Sequence, residues 1–305
     1  MVNGIFLYLY QRFKAQESTM TNKDQHPAIL YKYIDTTGGL SMLQKEELWF
    51  RRTGFLNDPY DCYLSHECQG KYPEFSVSFD LNELTKYFGI CSLSETATTF
   101  LMWSYYNEHK GMCIGVNMKD IYTSLINHFH DKINSYLSFR KVVYKNKLPD
   151  LNLINIVPFD YQTPRIDNTP SKKAQNEING FLSTKAKWWE HEKEYRLILR
   201  QTPNPYLNLD EPVKLQMRNL INRVYLGCKF DGNIDTIINI AKEKKFDVYK
   251  FRQQSHTYGL YAEKLYSHNN QKLFSLKNNY SYICETLTHS YYVSLQQYSH
   301  SNPIR

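Results

Sequence analysis

Alternating apolar and polar positions predict a chain of short strands broken by a few helices. The first pattern with a strand period is Ile29-Leu30-Tyr31-Lys32-Tyr33. Thr36-Thr37-Gly38-Gly39 then reads as a turn. Leu40, Leu43 and Leu48 suit one short helix that delivers a strand at residues 48–50. Further strands are expected at residues 88–94, 113–116, 141–144, 195–200, 224–227 and 247–251. Helices are expected over residues 98–109, 119–136, 181–190 and 233–245. The first of these places Leu101, Met102, Tyr105 and Tyr106 on one stripe. His109-Lys110-Gly111 reads as its C-terminal stop, with cations at the negative end of the dipole and Gly111 in a left-handed cap. Residues 145–172, rich in Asn, Asp and Pro, read as a lid or binding loop. Strands outnumber long helices and no internal repeat is present. The expectation is an α+β fold: a mixed, largely antiparallel central sheet with flanking helices in a single main domain. Residues 1–27 read as a loosely ordered leader, 28–251 as the core domain and 252–305 as a tyrosine-rich C-terminal extension.

Composition sharpens this picture only in places. With 42% hydrophobic residues and 26 tyrosines, the 305-residue chain can build a core while keeping an aromatic, wet surface. The net charge of +7 permits phosphate contact but is modest for this length. The six cysteines form no C-x-x-C pair and read as reduced cytosolic thiols. Cys62, His66 and Cys68 lack the second cluster that a tetrahedral zinc site needs, so no metal site is predicted. The apolar start at residues 4–10 is too short to span a bilayer, which points to a cytoplasmic protein without membrane contact. No G-x-G-x-x-G and no G-x-x-x-x-G-K-[ST] occurs, which removes the support for a Rossmann or P-loop reading.

The densest chemistry lies in Trp188-Trp189-Glu190-His191-Glu192-Lys193-Glu194-Tyr195-Arg196 and the strand that follows. Glu192 and Glu194 are two apart, on one face at the mouth of that strand. Carboxylates crowded beside rings are costly unless cations or a substrate use them. The competing reading is a solvated acidic strand edge, with Trp188 or Trp189 plugging the core.

One ordered motif series carries a family resemblance. It comprises Leu30-Tyr31-Lys32-Tyr33, Phe55-Leu56-Asn57-Asp58-Pro59-Tyr60-Asp61, Ser92-Leu93-Ser94-Glu95, Met102-Trp103-Ser104-Tyr105-Tyr106, His109-Lys110-Gly111 and Glu192-Lys193-Glu194-Tyr195-Arg196. Over about residues 28–265 the chain resembles a domain of unknown function found mainly in bacteria and their phages. Tyr60 stands where that family usually has Phe.

A second resemblance is to arginine-directed ADP-ribosyltransferases. These present, in order, a basic residue on an early strand, a Ser-x-Ser strand and a Glu-x-Glu near a later strand. Here the matching residues are Lys32, then Ser92 and Ser94, then Glu192 and Glu194. The resemblance implies NAD as substrate, with Glu194 and Glu192 catalytic and the charge of the departing sugar stabilised by carboxylate. It also implies an NAD-binding wall of Lys32, Tyr33, Ser92, Ser94, Trp103, Tyr106 and His109. Asn57, Asp58, Asp61, Glu95, Lys110 and Arg196 would complete the pocket, and the acceptor would be a protein or nucleic acid. Lys32 departs from the usual Arg or His, because an ammonium is a point charge without the planar fork.

Two alternatives stay open. In a metal-dependent nuclease, Asp58, Asp61, Glu95 and Glu194 would converge on Mg²⁺ and Lys110 or Lys193 would steady a phosphate. In a non-enzymatic module, tyrosines and lysines of residues 258–298 would bind single-stranded bases or a protein. The bland assignments are a strand-edge Lys32, solvent-facing Ser92 and Ser94, a turn-capping Asp58 and a Glu194 paired with Arg196 or Lys193. The residue pattern leaves the oligomeric state undetermined.

Overall fold

The structure, a computed structural model, describes residues 27–63, 85–129, 137–149, 172–201, 208, 210–217 and 219–269. The expected leader up to residue 26, most of the expected lid, His66, Cys68 and the extension beyond residue 269 lie outside the described residues.

Eight strands run in one path, followed in spatial order. β12 (Leu260–Tyr266) pairs with β11 (Asp247–Gln253), then come β10 (Ile221–Leu226), β4 (Met112–Asn117), β1 (Ile29–Ile34), β3 (Phe88–Ser94), β2 (Glu47–Arg52) and β9 (Val213–Gln216). A branch leaves β3, which also pairs along its whole length with β8 (Glu194–Arg200), and β8 pairs in turn with β5 (Leu137–Lys141). Within this sheet only β10 and β11 are parallel, joined by helix α5 (Ile234–Lys244). The sheet is mixed and largely antiparallel, as the strand-rich pattern predicts. A separate two-stranded parallel sheet joins β6 (Val143–Lys145) to β7 (Thr184–Ala186).

One sheet face is covered by α1 (Thr36–Lys45), α3 (Met118–Phe129) and α5. Met42, Leu43, Met118, Ile121, Leu125, Ile237 and Ala241 from these helices pack on Leu30, Phe50, Leu93, Leu197, Val224 and Val248 from the strands. Two smaller clusters lie apart from this core. Ile90 and Ile198 pack with Phe181 and Leu182 of α4 (Lys172–Leu182), and Tyr33, Cys113 and Phe251 pack with Met102 and Trp103 of α2 (Phe100–Tyr105).

The structure corrects several local expectations. Thr36-Thr37-Gly38-Gly39 is the first turn of α1 rather than a loop, because the Asp35 carboxylate accepts from Gly38 N at 2.7 Å and caps the helix. The helix expected at 98–109 is only six residues long and buries Met102 and Trp103, while Leu101 and Tyr105 face solvent. Gly111 is not the left-handed cap: Asn107, Glu108 and His109 adopt positive φ instead. The helix expected at 181–190 is α4's end, then β7, then a 3-10 helix at Lys187–Glu192. β8 is no solvated edge, because β3 and β5 flank it and six of its seven residues are buried. Neither Trp188 nor Trp189 plugs the core. The start of the expected extension forms the edge strand β12. Among the described residues, no helix is long and apolar enough to cross a membrane.

Candidate functional site

β1 and β3 pair at a single position, Tyr31 opposite Ser94, and the sheet opens beside it. Into this opening Lys32 sends its ammonium, which donates to the Ser92 carbonyl at 3.0 Å. The opening is the mouth of a pocket lined by Tyr31, Lys32, Tyr33, Leu56, Asn57, Asp61, Ser92, Ser94, Met102, Tyr106, Lys185, Glu192 and Glu194. Its free volume is about 40 Å³, room for a few waters.

The floor is an ion cluster. Arg196, 0% exposed, spends all five guanidinium donors. Nε donates to Glu194 Oε1 at 2.7 Å, Nη1 to Asp61 Oδ1 at 2.8 Å and to the Leu182 carbonyl at 2.7 Å, and Nη2 to Asp61 Oδ2 at 2.6 Å and to Glu194 Oε2 at 3.1 Å. Lys185 adds a second cation, 2.6 Å from Glu192 Oε2, 3.4 Å from Glu194 Oε2 and 3.7 Å from Asp61 Oδ2. Buried charges persist only when paired and hydrogen-bonded in this way. The chain crosses the cluster at Lys193, whose left-handed conformation turns the 3-10 helix into β8. The turn is held from both sides: Ser94 Oγ donates to the Glu192 carbonyl at 2.7 Å, and Glu194 N donates to Tyr144 Oη at 2.8 Å.

Three carboxylates share two cations, and the shortfall falls on Glu192. Burial raises the Glu192 pKa to about 7 against the pull of Lys185, with Glu194 adding to the rise. Burial also opposes ionisation of Glu194, but the charges of Arg196 and Lys185 prevail and hold it at about 2. Burial lowers Lys185, yet Glu194, Glu192 and Asp61 keep it well above the usual lysine range. Glu192 Oε1 is buried without a hydrogen-bond partner among the described residues. Two carboxyl groups two residues apart are therefore held in opposite protonation regimes, an arrangement typical of acid–base sites.

Nine residues expected at the site line the pocket: Lys32, Tyr33, Asn57, Asp61, Ser92, Ser94, Tyr106, Glu192 and Glu194. Arg196 lies beneath it, holding two of its walls. The remaining five lie outside its lining. Trp103 is a core residue that donates to the Ala97 carbonyl at 2.8 Å and meets the Tyr33 and Phe251 rings edge-on. His109 shares a hydrogen bond with Ser104 Oγ at 3.1 Å. Asp58 accepts from Tyr60 N at 3.0 Å, Glu95 pairs with Lys141 at 3.5 Å, and Lys110 pairs with Glu108 at 2.9 Å. Among the described residues no group of three His, Cys, Asp or Glu is placed to hold a metal ion. The sequence reading missed Lys185 and Tyr144. Lys185 lies in a three-residue strand, too short to show a period, and fell inside an expected helix, whereas Tyr144 lies in the expected strand at 141–144 and its tie to Glu194 N is tertiary.

Neither a curated protein nor a solved structure matches the chain. One family model does match, over a narrower span than the motif series suggested, and it contains Met102, Tyr106, Lys185, Glu192, Glu194 and Arg196 of the site. Residues 102–197, from α2 into β8, match the family described as a protein of unknown function, DUF2971.

Proposed function

We propose that the pocket between β1 and β3 is the reaction centre of an ADP-ribosyl transferase that takes NAD as substrate. The observation that carries this reading is the convergence of Lys32, Ser92, Ser94, Glu192 and Glu194 on one pocket, although they come from three distant segments. Their order is that of the ADP-ribosyltransferase resemblance, with Lys32 in place of the usual Arg or His.

The geometry favours Glu192 over Glu194 as the reacting carboxylate. Both oxygens of Glu194 are committed to Arg196, whereas Glu192 keeps one unpartnered oxygen. In the proposed reaction the bond between nicotinamide and the ribose C1′ breaks and nicotinamide leaves with the electron pair. Ionised Glu192 is the one carboxylate in excess over the two buried cations, and it faces the charge that develops on the sugar. The acceptor adds to C1′ and its proton passes to Glu192 Oε1, whose pKa of about 7 suits a general base at neutral pH. Tyr33 and Tyr106 supply ring faces for the nicotinamide. A ring does not fit in about 40 Å³, so the reading requires Leu56, Met102 and Tyr106 to swing aside on binding.

Nicotinamide release from NAD by purified protein, with and without cell extract as acceptor source, tests the reading. Glu192→Gln should lower release about 10²-fold or more while the fold persists. Wild-type protein that releases no nicotinamide under either condition, or a variant as active as wild type, would overturn it.

A further inference from the structure

A second, larger cavity lies behind the ion cluster, with a volume of about 240 Å³. Lys185 borders both cavities. One wall is the turn after Pro59, where the Tyr60 and Tyr63 rings meet edge-on at 6.2 Å and both face solvent. The opposite wall is the β6–β7 sheet and its continuations, which present Lys145, Lys147 and Trp188. Trp188 is 74% exposed, an unusual state for an indole that the fold does not use. Among the described residues neither Lys145 nor Lys147 pairs with a carboxylate, and no acidic side chain lines the cavity.

We infer that this cavity binds a nucleobase bearing a phosphate, as a free nucleotide or within a single strand. Three exposed rings around a cavity near the small end of ligand sites suit one flat heterocycle. Rings alone would equally suit an apolar peptide side chain. Two exposed lysines two residues apart on one rim, with no carboxylate beside them among the described residues, favour an anionic ligand. Asn146 and Thr184 add polar groups for base edges. The chain's net charge of +7 has the sign that favours approach of a phosphate. This site shares no ring and no unpaired cation with the first pocket, so the inference does not depend on NAD cleavage.

Equilibrium binding to the full-length protein decides it, with AMP and a short single-stranded oligodeoxyadenylate as separate probes and ribose 5-phosphate as the base-free control. Saturable binding of either probe, weakened about ten-fold by Trp188→Ala, is the expected result. The double variant Lys145→Gln/Lys147→Gln should weaken binding and flatten its salt dependence. Binding of AMP identifies a free nucleotide as sufficient, and binding of the oligonucleotide alone identifies a strand. The side chains of Trp188, Lys145 and Lys147 are exposed, so circular dichroism should show all variants folded. Absence of binding to both probes, equal binding of ribose 5-phosphate, or affinity unchanged in Trp188→Ala would overturn the inference. The readout involves no turnover, so a failure here is distinguishable from a failure of the transferase reading.

Discussion

Lys185 donates to Glu192 Oε2 at 2.6 Å, while Glu192 Oε1 stays buried and unpartnered. Burial raises the Glu192 pKa to about 7 against the pull of this single ion pair. A carboxyl raised above its unfolded value of 4.5 contributes stability that is full below 4.5 and is lost as pH rises through about 7. Glu192→Gln should therefore stabilise the protein at pH 8 by on the order of 1 kcal/mol, ~2 °C in Tm, with no gain at pH 4.5. Thermal melts across that range check it. Equal effects at both pH values would contradict the titration of Glu192. In the nicotinamide-release assay, wild-type activity should fall as pH drops below 7, because protonated Glu192 cannot accept a proton.

Arg196 is the second test. Arg196→Leu leaves Asp61 and Glu194 buried near Lys185 alone, and breaking a buried pair from one side costs about 3–5 kcal/mol. Adding Asp61→Asn and Glu194→Gln to that variant should recover at least half of the loss, because the uncompensated charges go with the arginine. Urea denaturation of the single and triple variants measures both. If the triple variant is as unstable as the single one, packing of the guanidinium rather than its charge holds the cluster.

Much of this architecture is visible in the chain itself, for identifiable reasons. β3 falls at residues 88–94, as the pattern predicts, because Phe88, Ile90, Cys91 and Leu93 supply the apolar content of a strand buried along most of its length. α5 starts where Asn233 signals, and the Asn233 side chain caps Thr236 N at 3.0 Å. Polar residues at strand positions, Lys32, Ser92 and Ser94, are conspicuous, and they do line the pocket. The hidden part is tertiary. Nothing in the alternation of β8 reveals that Arg196 is fully buried against two carboxylates, since that depends on Asp61 arriving from elsewhere. The turn at Asn107, Glu108 and His109 is hidden as well, because Glu and His rarely adopt positive φ and give no sequence signal for it. β12 escapes because it is a half-exposed edge strand with weak alternation.

Gly111 and Gly180 give a contrasting pair. A methyl group on Gly111 would strike the Ile34 carbonyl, and it would lie 3.3 Å from the Asp35 Cα, backbone that cannot rotate away. Gly111→Ala should cost about 1–3 kcal/mol, although its φ is not positive. Gly180 lies inside α4, and nothing among the described residues lies within 4 Å of where its Cβ would stand. Gly180→Ala should stabilise the protein by ~0.5–1 kcal/mol by removing unfolded-state entropy. Chemical denaturation of the two variants should thus move in opposite directions. Loss of stability in Gly180→Ala would mean that the α4 surface is covered.

His109 opposes Glu192 in the mildly acidic range. Burial, reinforced by Lys229, lowers its pKa from the ordinary 6.5. Its Nε2 faces Ser104 Oγ at 3.1 Å, its ring packs 4.9 Å from that of Phe100, and Nδ1 is buried without a partner. A protonated ring would bury an N–H with no acceptor. A depressed histidine contributes stability that is present above 6.5 and lost as pH falls through its folded-state value, so acidification below 6.5 destabilises through His109 while it stabilises through Glu192. The wild-type stability curve should accordingly be shallower near pH 6 than that of either single variant. His109→Gln should let stability rise as pH falls from 7 to 5, and Glu192→Gln should let it fall. A titration of the histidine Cε1 proton by NMR gives the direct check. A His109 midpoint at or above 6.5 would remove the histidine side of this balance.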